Sequence, residues 1–289
     1  MGIDRSARLD EEWELHRPAV FGTAYRLLGS VTEAEDVLQD VWLRAAGADL
    51  SEVADLRAWL VTVAARISYN VINSARVRKV GYVGPWLPEP LLTGPDVAHR
   101  VLIDDSVSTA MLLVMRELPP PERVAFVLHE VFELPFEQIA GVLGRSPVAC
   151  GKLASRARRR VAGARMPQRA GRAEREEVLR AFRAASQAGD LAALVGLLDP
   201  DVVYVADGGG KATAARAPVH GVERVARMLL WFGTHRPGDR MEVVEVNGDP
   251  GLATCREGRP RCIDTVEVRG GRILAFLRVA NPDKLPGHL

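Results

Sequence analysis

Lysine is nearly missing from this 289-residue chain, where four lysines stand beside 34 arginines in a Lys+Arg total of 38. A GC-rich genome produces that bias whatever the protein does, so arginine richness by itself identifies no ligand. Cysteine is scarce too. Cys150, Cys255 and Cys262 form no CxxC pair and no ligand spacing with the six histidines, which excludes a disulfide scaffold and a zinc module. A reduced interior with no metal and no cofactor is the expectation. Apolar runs fall far short of a membrane span, and the N-terminus opens on charged residues rather than the apolar core of a signal peptide. A cytoplasmic protein is expected. Nor is there a nucleotide-binding loop, which argues against phosphoryl-transfer chemistry.

What is present is a pattern of charge. The formal net charge of +1 conceals an acidic block at 1–55 (5 basic, 12 acidic), a basic one at 56–88 (5 and 0), and an acidic one at 89–137 (3 and 9). From Gln138 to Ala173 nine Lys/Arg meet no Asp/Glu, and 174–289 balances at 16 each. Alternating blocks imply several partner surfaces. In the most basic of them, FEQIAGVLGRSPVACGKLASRARRRV (Phe136 to Val161), a short amphipathic segment meets Gly144, which permits the reversal, and then a second helix. Ser146 caps that helix and Pro147 stands at N1, where its missing N–H costs nothing. Cys150, Ala154, Ala157 and Val161 recur on the inner face; Ala149, Lys152, Ser155, Arg156 and Arg159 face outward. Small apolar groups inside and long donors outside describe a helix-turn-helix whose second helix enters a DNA groove. A solvated basic helix is the plainer alternative.

Residues 11–81 read as helices throughout: about Glu11 to Leu28, Thr32 to Ala46 and Leu56 to Arg78. In the second, Thr32 with Glu35 reads as a capping box, with Ala34, Val37, Leu38, Val41 and Trp42 as the buried stripe. Its other face carries Glu33, Asp36, Gln39, Asp40 and Arg44, which is equally the pattern of a solvated helix. The third turns Trp59, Leu60, Val63, Ala64, Ile67 and Val71 inward and leaves Arg66, Asn70, Asn73, Ser74 and Arg76 in an outer row suited to base edges and phosphates. Prolines and glycines over 82–103 forbid a helix and mark a linker. Within it Trp86, Leu87, Pro88, Glu89, Pro90 and Leu91 (WLPEPL) are too apolar for a free spacer and should dock on something. Helices over 104–118 and 121–133 lead into the helix-turn-helix. Beyond 166–173, helices at Glu174 to Ala188, Asp190 to Leu198 and Val222 to Phe232 combine with short strands at Asp201 to Ala206, Met241 to Val246, Leu252 to Cys255, Arg261 to Val268 and Arg272 to Val279. That order indicates α+β, with a pocket at the open end of a curved sheet.

Together these motifs resemble an extracytoplasmic-function (ECF) sigma factor of the subgroup with a SnoaL-like C-terminal extension, over nearly the whole chain. TEAEDVLQDVWLR (Thr32 to Arg44) looks like the segment that docks on the β′ clamp helices of core RNA polymerase. LRAWLVTVAARISYNVINSARVRK (Leu56 to Lys79) is similar to the helix that melts and reads the −10 promoter element. Phe132 to Pro147 with ASRARRR matches the −35 reader, implying Ser146, Lys152, Ser155, Arg156 and Arg159 at the DNA. Three further motifs belong to the subgroup: WLPEPL; DGGGK at Asp207, Gly208, Gly209, Gly210 and Lys211; and NPDKL at Asn281, Pro282, Asp283, Lys284 and Leu285. One departure is Gly151, where such recognition helices carry a longer side chain.

The resemblance implies a multidomain fold: two all-α sigma domains, a helical bundle over 1–81 and a helix-turn-helix domain over 104–166, then an α+β cone with a curved sheet over 174–289. It implies a non-enzymatic initiation factor that binds promoter DNA and core polymerase through the β′ clamp helices and β flap. It also implies control in cis by the C-terminal domain, so that no separate anti-sigma factor is required. WLPEPL and NPDKL are expected to pack against that domain or each other, fixing the angle between the two readers. A SnoaL-like cyclase or isomerase fused to DNA-binding helices is the alternative, with Asp207, His220 or His235 as general base, although DGGGK reads equally as a glycine turn displaying Asp207 and Lys211 on the surface. A transcription regulator answering a small-molecule ligand in the C-terminal pocket is the third.

Overall fold

Helix formation in the first half follows from the 3.6-residue recurrence of apolar side chains and from well-placed caps. The computed structural model describes residues 4–78, 82–93, 108–164, 170–234 and 238–288. Its described residues divide into two compact units, one built from those up to 78 with 111–164, the other mainly from 82–93 and 170–288.

In the first unit, α1 (Asp4–Leu28), α2 (Val31–Ala46) and α3 (Leu56–Arg78) pack on one another, followed by α4 (Thr109–Glu117) and α5 (Pro120–Phe126). A five-residue π-helical turn, Val127–Val131, continues α5 before α6 (Phe136–Leu143) and α7 (Pro147–Gly163). The cap of α2 is Ser30, not Thr32: Ser30 is extended at φ −130° and accepts a hydrogen bond from the Glu33 amide at 3.1 Å. Thr32 already lies inside the first turn, so the expected capping box with Glu35 does not form. Along α3 the buried set is broader than one stripe, since Val61, Ala65 and Ser68 are buried along with Leu60, Ala64 and Ile67. Its neighbours explain this, because α3 packs on α1 and α2 on one side and on helices α5 and α6 on another.

The second unit is a six-stranded sheet in the order β2-β1-β6-β5-β4-β3, covered by α8 (Arg172–Ala188), α9 (Leu191–Leu197) and α10 (Val222–Thr234). Its strands are β1 (Leu198–Asp207), β2 (Val219–His220), β3 (Arg240–Val246), β4 (Asp249–Arg256), β5 (Arg259–Arg269) and β6 (Arg272–Val279). β1 runs parallel to β6 and every other pairing is antiparallel. Three two-residue hairpins hold β3 to β6: Asn247-Gly248, Glu257-Gly258 and Gly270-Gly271 all take positive φ at both positions, the backbone that matches strand twist. Phe182, Tyr204, Leu229 and Phe276 fill the core between helices and sheet. The linker's Leu92 bridges Val246, extending the edge beside β3.

Candidate functional site: two nucleic-acid faces and a linker latch

On α2 the helical period places Glu33, Asp36, Gln39, Asp40 and Arg44 on the exposed side, opposite buried Ala34, Val37, Leu38, Val41 and Ala45. Two features of this face were not read from the sequence. Leu43 is 67% exposed among these charges and Leu15 of α1 is 74% exposed. Trp42, expected in the core, is half-buried and meets Trp13 edge-on at 4.9 Å between centroids. The two tryptophans line a groove of about 670 Å³ with Glu14, Arg17, Leu38 and Gln39. An acidic rim around exposed leucine and tryptophan suits a partner helix with basic and apolar residues.

On α3, Arg66, Asn70, Asn73 and Ser74 are exposed; the Arg76 side chain lies outside the described residues. The Arg66 Nη2 donates to the Gly141 carbonyl on α6 at 2.9 Å, and Ser74 Oγ returns to the Val71 carbonyl at 2.9 Å. A second arginine ties the same unit together from inside. Arg123 is buried, its Nη1 donating to Leu27 O and its Nη2 to Arg116 O, both at 2.7 Å, at the C-terminal ends of α1 and α4. Carbonyls at helix ends carry partial negative charge and favour a cation. Burial, with the neighbouring Arg116 charge, lowers the Arg123 pKa to about 10.

The helix-turn-helix forms by the local rules its sequence contains. Gly144 takes φ +62° and ends α6; Ser146 Oγ accepts from the Ala149 amide at 3.3 Å and Pro147 opens α7. Cys150, Ala154 and Ala157 are buried, whereas Ser146, Lys152, Ser155, Arg156 and Arg159 are exposed. Val148, not singled out in the sequence, stands beside them at 71% exposure. Two neighbouring arginines are internally paired: Arg158 with Glu130 at 2.5 Å and Arg160 with Glu122 at 2.7 Å. Hydrogen bonds from Arg158 to the Glu130 carboxylate, with that group's negative charge, raise the Arg158 pKa above the ordinary guanidinium value.

The three remaining motifs converge inside the second unit. Asp207, at the end of β1, is completely buried and accepts four hydrogen bonds. Its Oδ1 takes the Tyr82 hydroxyl at 2.5 Å and the Gly209 amide at 3.0 Å; its Oδ2 takes the Leu87 amide at 2.8 Å and Lys284 Nζ at 2.7 Å. The surface display weighed for Asp207 is therefore incorrect, because the glycine turn folds back over it. Lys284 also donates to the Leu87 carbonyl at 2.6 Å and lies 4.1 Å above the Trp86 ring. Asn281 Nδ2 donates to the Tyr82 oxygen at 3.2 Å, and a Cβ on Gly209 would come within 2.3 Å of it. Gly208 and Gly210 continue that turn, whose exposed end pairs Lys211 with Asp283 at 2.5 Å.

Leu87, Pro88, Pro90 and Leu91 are buried, with Trp86 and Glu89 half-buried; Leu285 packs on Val246 and its neighbours, and Pro282 is exposed. Asn247, from the first hairpin, completes the seat. Its Oδ1 accepts from the Leu91 amide at 2.9 Å and its own amide donates to the Leu91 carbonyl at 2.8 Å. The Asn-Gly dipeptide could have marked the turn, but nothing local to it signals the partner 156 residues away. His220 is exposed on β2, and His235 lies outside the described residues.

An all-α unit that ends in a helix-turn-helix, with an α+β unit that seats residues 82–93, defines the architecture of a DNA-binding transcription factor. The matching family descriptions are "Sigma-70 region 2" over residues 13–78, "Sigma-70, region 4" over 108–161 and "SnoaL-like domain" over 179–276. The chain is 39% identical to "ECF RNA polymerase sigma factor SigJ" of Mycobacterium tuberculosis, covering 96% of this chain and 93% of that protein. It is 31% identical to "Probable ECF RNA polymerase sigma factor SigI" of the same species, covering 94% and 93%. The crystal structure of Mycobacterium tuberculosis SigJ matches with a TM-score of 0.76 at 36% identity, over 95% of this chain and 97% of that one. The chain belongs to the ECF sigma factors, transcription initiation factors of RNA polymerase, and carries a SnoaL-like C-terminal domain. Among the described residues no helix is long and apolar enough to cross a membrane.

Proposed function

We propose that this sigma factor is controlled in cis, its C-terminal domain holding the interdomain linker through Asp207 and Lys284. In this reading the α2 face with Leu43 and Trp42 docks on the β′ clamp helices and the helix-turn-helix domain on the β flap. The outer row of α3 reads the −10 element, and Lys152, Ser155 and Arg156 read the −35 element, with Ser146 and Arg159 on flanking phosphates. One observation carries the regulatory part: a single buried carboxylate, at the tip of β1, holds the linker at Tyr82 and Leu87. Such a latch makes a separate anti-sigma factor unnecessary. The test is in vitro transcription with core polymerase and the full chain, comparing parent with Asp207→Asn and Trp86→Ala. Transcription strength should change in both variants while core binding persists; unchanged output on a linker freed from its seat refutes cis control.

A non-enzymatic role for the C-terminal domain is supported by the same carboxylate. Both Asp207 oxygens already accept two hydrogen bonds from protein donors, which leaves no lone pair directed at a substrate.

A further inference from the structure

The first turn of α7 presents an apolar side chain that the fold does not use. Val148 is the second residue of the helix and stands 71% exposed. At about 100° per residue, Val148, Lys152, Ser155 and Arg159 fall within an arc of about 60° on the helix surface. Cys150, Ala154 and Ala157, all buried, occupy the opposite side. Val148 is thus the leading residue of the outward stripe rather than a stray surface group. Helix initiation asks nothing of it, because Ser146 supplies the cap and Pro147 the first position. As a β-branched residue, valine is also a poorer helix former than alanine or leucine.

The surroundings of Val148 allow the backbone of this turn to come close to a partner. Ser146, Ala149 and Gly151 around it are small. A Cβ on Gly151 would meet the Phe136 ring of α6 at 3.5 Å, so that position turns toward the neighbouring helix. The outward contact of the first turn therefore falls to Val148, a short side chain that reaches a surface only if the helix itself lies near it.

Resting on the reading that α7 enters the major groove of the −35 element, the N-terminal residues of this helix meet base edges. Every base pair offers donors or acceptors there, and the groove has one apolar feature, the thymine 5-methyl group. Valine neither donates nor accepts a hydrogen bond. Over any other base edge it would displace water and leave polar atoms without partners, which is unfavourable. We propose that Val148 is a specificity-determining residue of this sigma factor, packing on the 5-methyl of one thymine in the −35 element. Lys152 and Ser155, farther along the same stripe, supply the polar part of the reading.

Deoxyuridine in place of thymidine tests this contact, since the two pair alike and differ by that methyl alone. The full chain with core polymerase first selects its preferred −35 sequence from promoters randomised over that element. Each thymine of either strand is then replaced singly by deoxyuridine, and promoter affinity is measured for the parent and for Val148→Ala. At one position the replacement should weaken the parent about fourfold, the effect of burying one methyl group, and change Val148→Ala by less than about 1.5-fold. Because Val148 is exposed, alanine there leaves the core untouched, and the comparison within each protein cancels any effect of deoxyuridine on DNA shape. A selected element without thymine, deoxyuridine tolerated at every position, or a loss that Val148→Ala retains overturns the assignment. Any of these beside a clear −35 preference leaves α7 standing as the −35 reader. Absence of any −35 preference refutes that reading and the thymine contact with it.

Discussion

Removing one charge of the latch tests whether Asp207 and Lys284 act as a unit. Lys284→Met deletes the cation whose side chain is 11% exposed and leaves the Asp207 carboxylate, at 0%, with only three neutral donors. Breaking a buried pair from one side costs about 3–5 kcal/mol, because the surviving charge is stranded. The partial exposure of Lys284 places this case near the lower figure, about 3 kcal/mol. Asp207→Asn strands the ammonium instead, though the Leu87 carbonyl at 2.6 Å still accepts from it. If the two charges stabilise each other, the double variant should be less destabilised than the sum of the singles, by about 1–3 kcal/mol. Urea unfolding of the full chain gives the three free energies. Exchange at the Leu87 amide shows that the loss is expressed at the linker. Additivity within about 0.5 kcal/mol refutes the pairing.

Four further substitutions probe the glycine turn over the latch and the recognition helix. Gly209→Ala places a Cβ 2.3 Å from Asn281 Nδ2 at φ +57°, so it should cost at least about 2 kcal/mol and displace Asn281 from Tyr82, measured by thermal unfolding and linker proteolysis. Gly151→Ala should do the reverse, since the new Cβ meets the Phe136 ring at an ordinary 3.5 Å. A gain of up to about 1 kcal/mol is expected as a higher melting temperature, and a loss contradicts it. Lys152→Ala and Arg156→Ala should each cost about 1–3 kcal/mol on the preferred −35 sequence and flatten the preference among −35 variants in transcription assays.

Local features were the most legible in the sequence. Gly144, Ser146 and Pro147 decide the turn and start of α7 through their own backbone preferences, and the alternating strands of the second unit follow from period-two patterning. Adjacent alternatives were harder to separate. Ser30 and Thr32 are both competent caps, and only the chain's approach from Gly29, at φ +69°, makes Ser30 the extended residue. The latch was legible as a set of motifs but not as a geometry, because Asp207 meets Leu87 and Lys284 across separations of 120 and 77 residues. Two charges that the sequence did not single out, Asp239 and Arg278, are likewise neutralised only in the fold, by Arg256 and Asp264.

That last point also revises the electrostatics of the −35 reader. Six basic residues, Arg145, Lys152, Arg156, Arg158, Arg159 and Arg160, lie between 145 and 160, yet Glu130 holds Arg158 and Glu122 holds Arg160. Each cation bound to a phosphate adds about −0.9 to the slope of log affinity against log salt. Four unpaired cations in place of six reduce the expected contribution of this helix from about −5.4 to about −3.6. Glu130→Gln should therefore free Arg158 and steepen the slope by about 0.9, read by titrating promoter DNA with the full chain at several salt concentrations. The opposing possibility is built into the same pair. Arg158 is 58% exposed, and an exposed ion pair is weak enough for a nearby phosphate to displace it. In that event Arg158 already contacts DNA in the parent protein, the slope of Glu130→Gln is unchanged, and the internal pairing has no hold on promoter affinity.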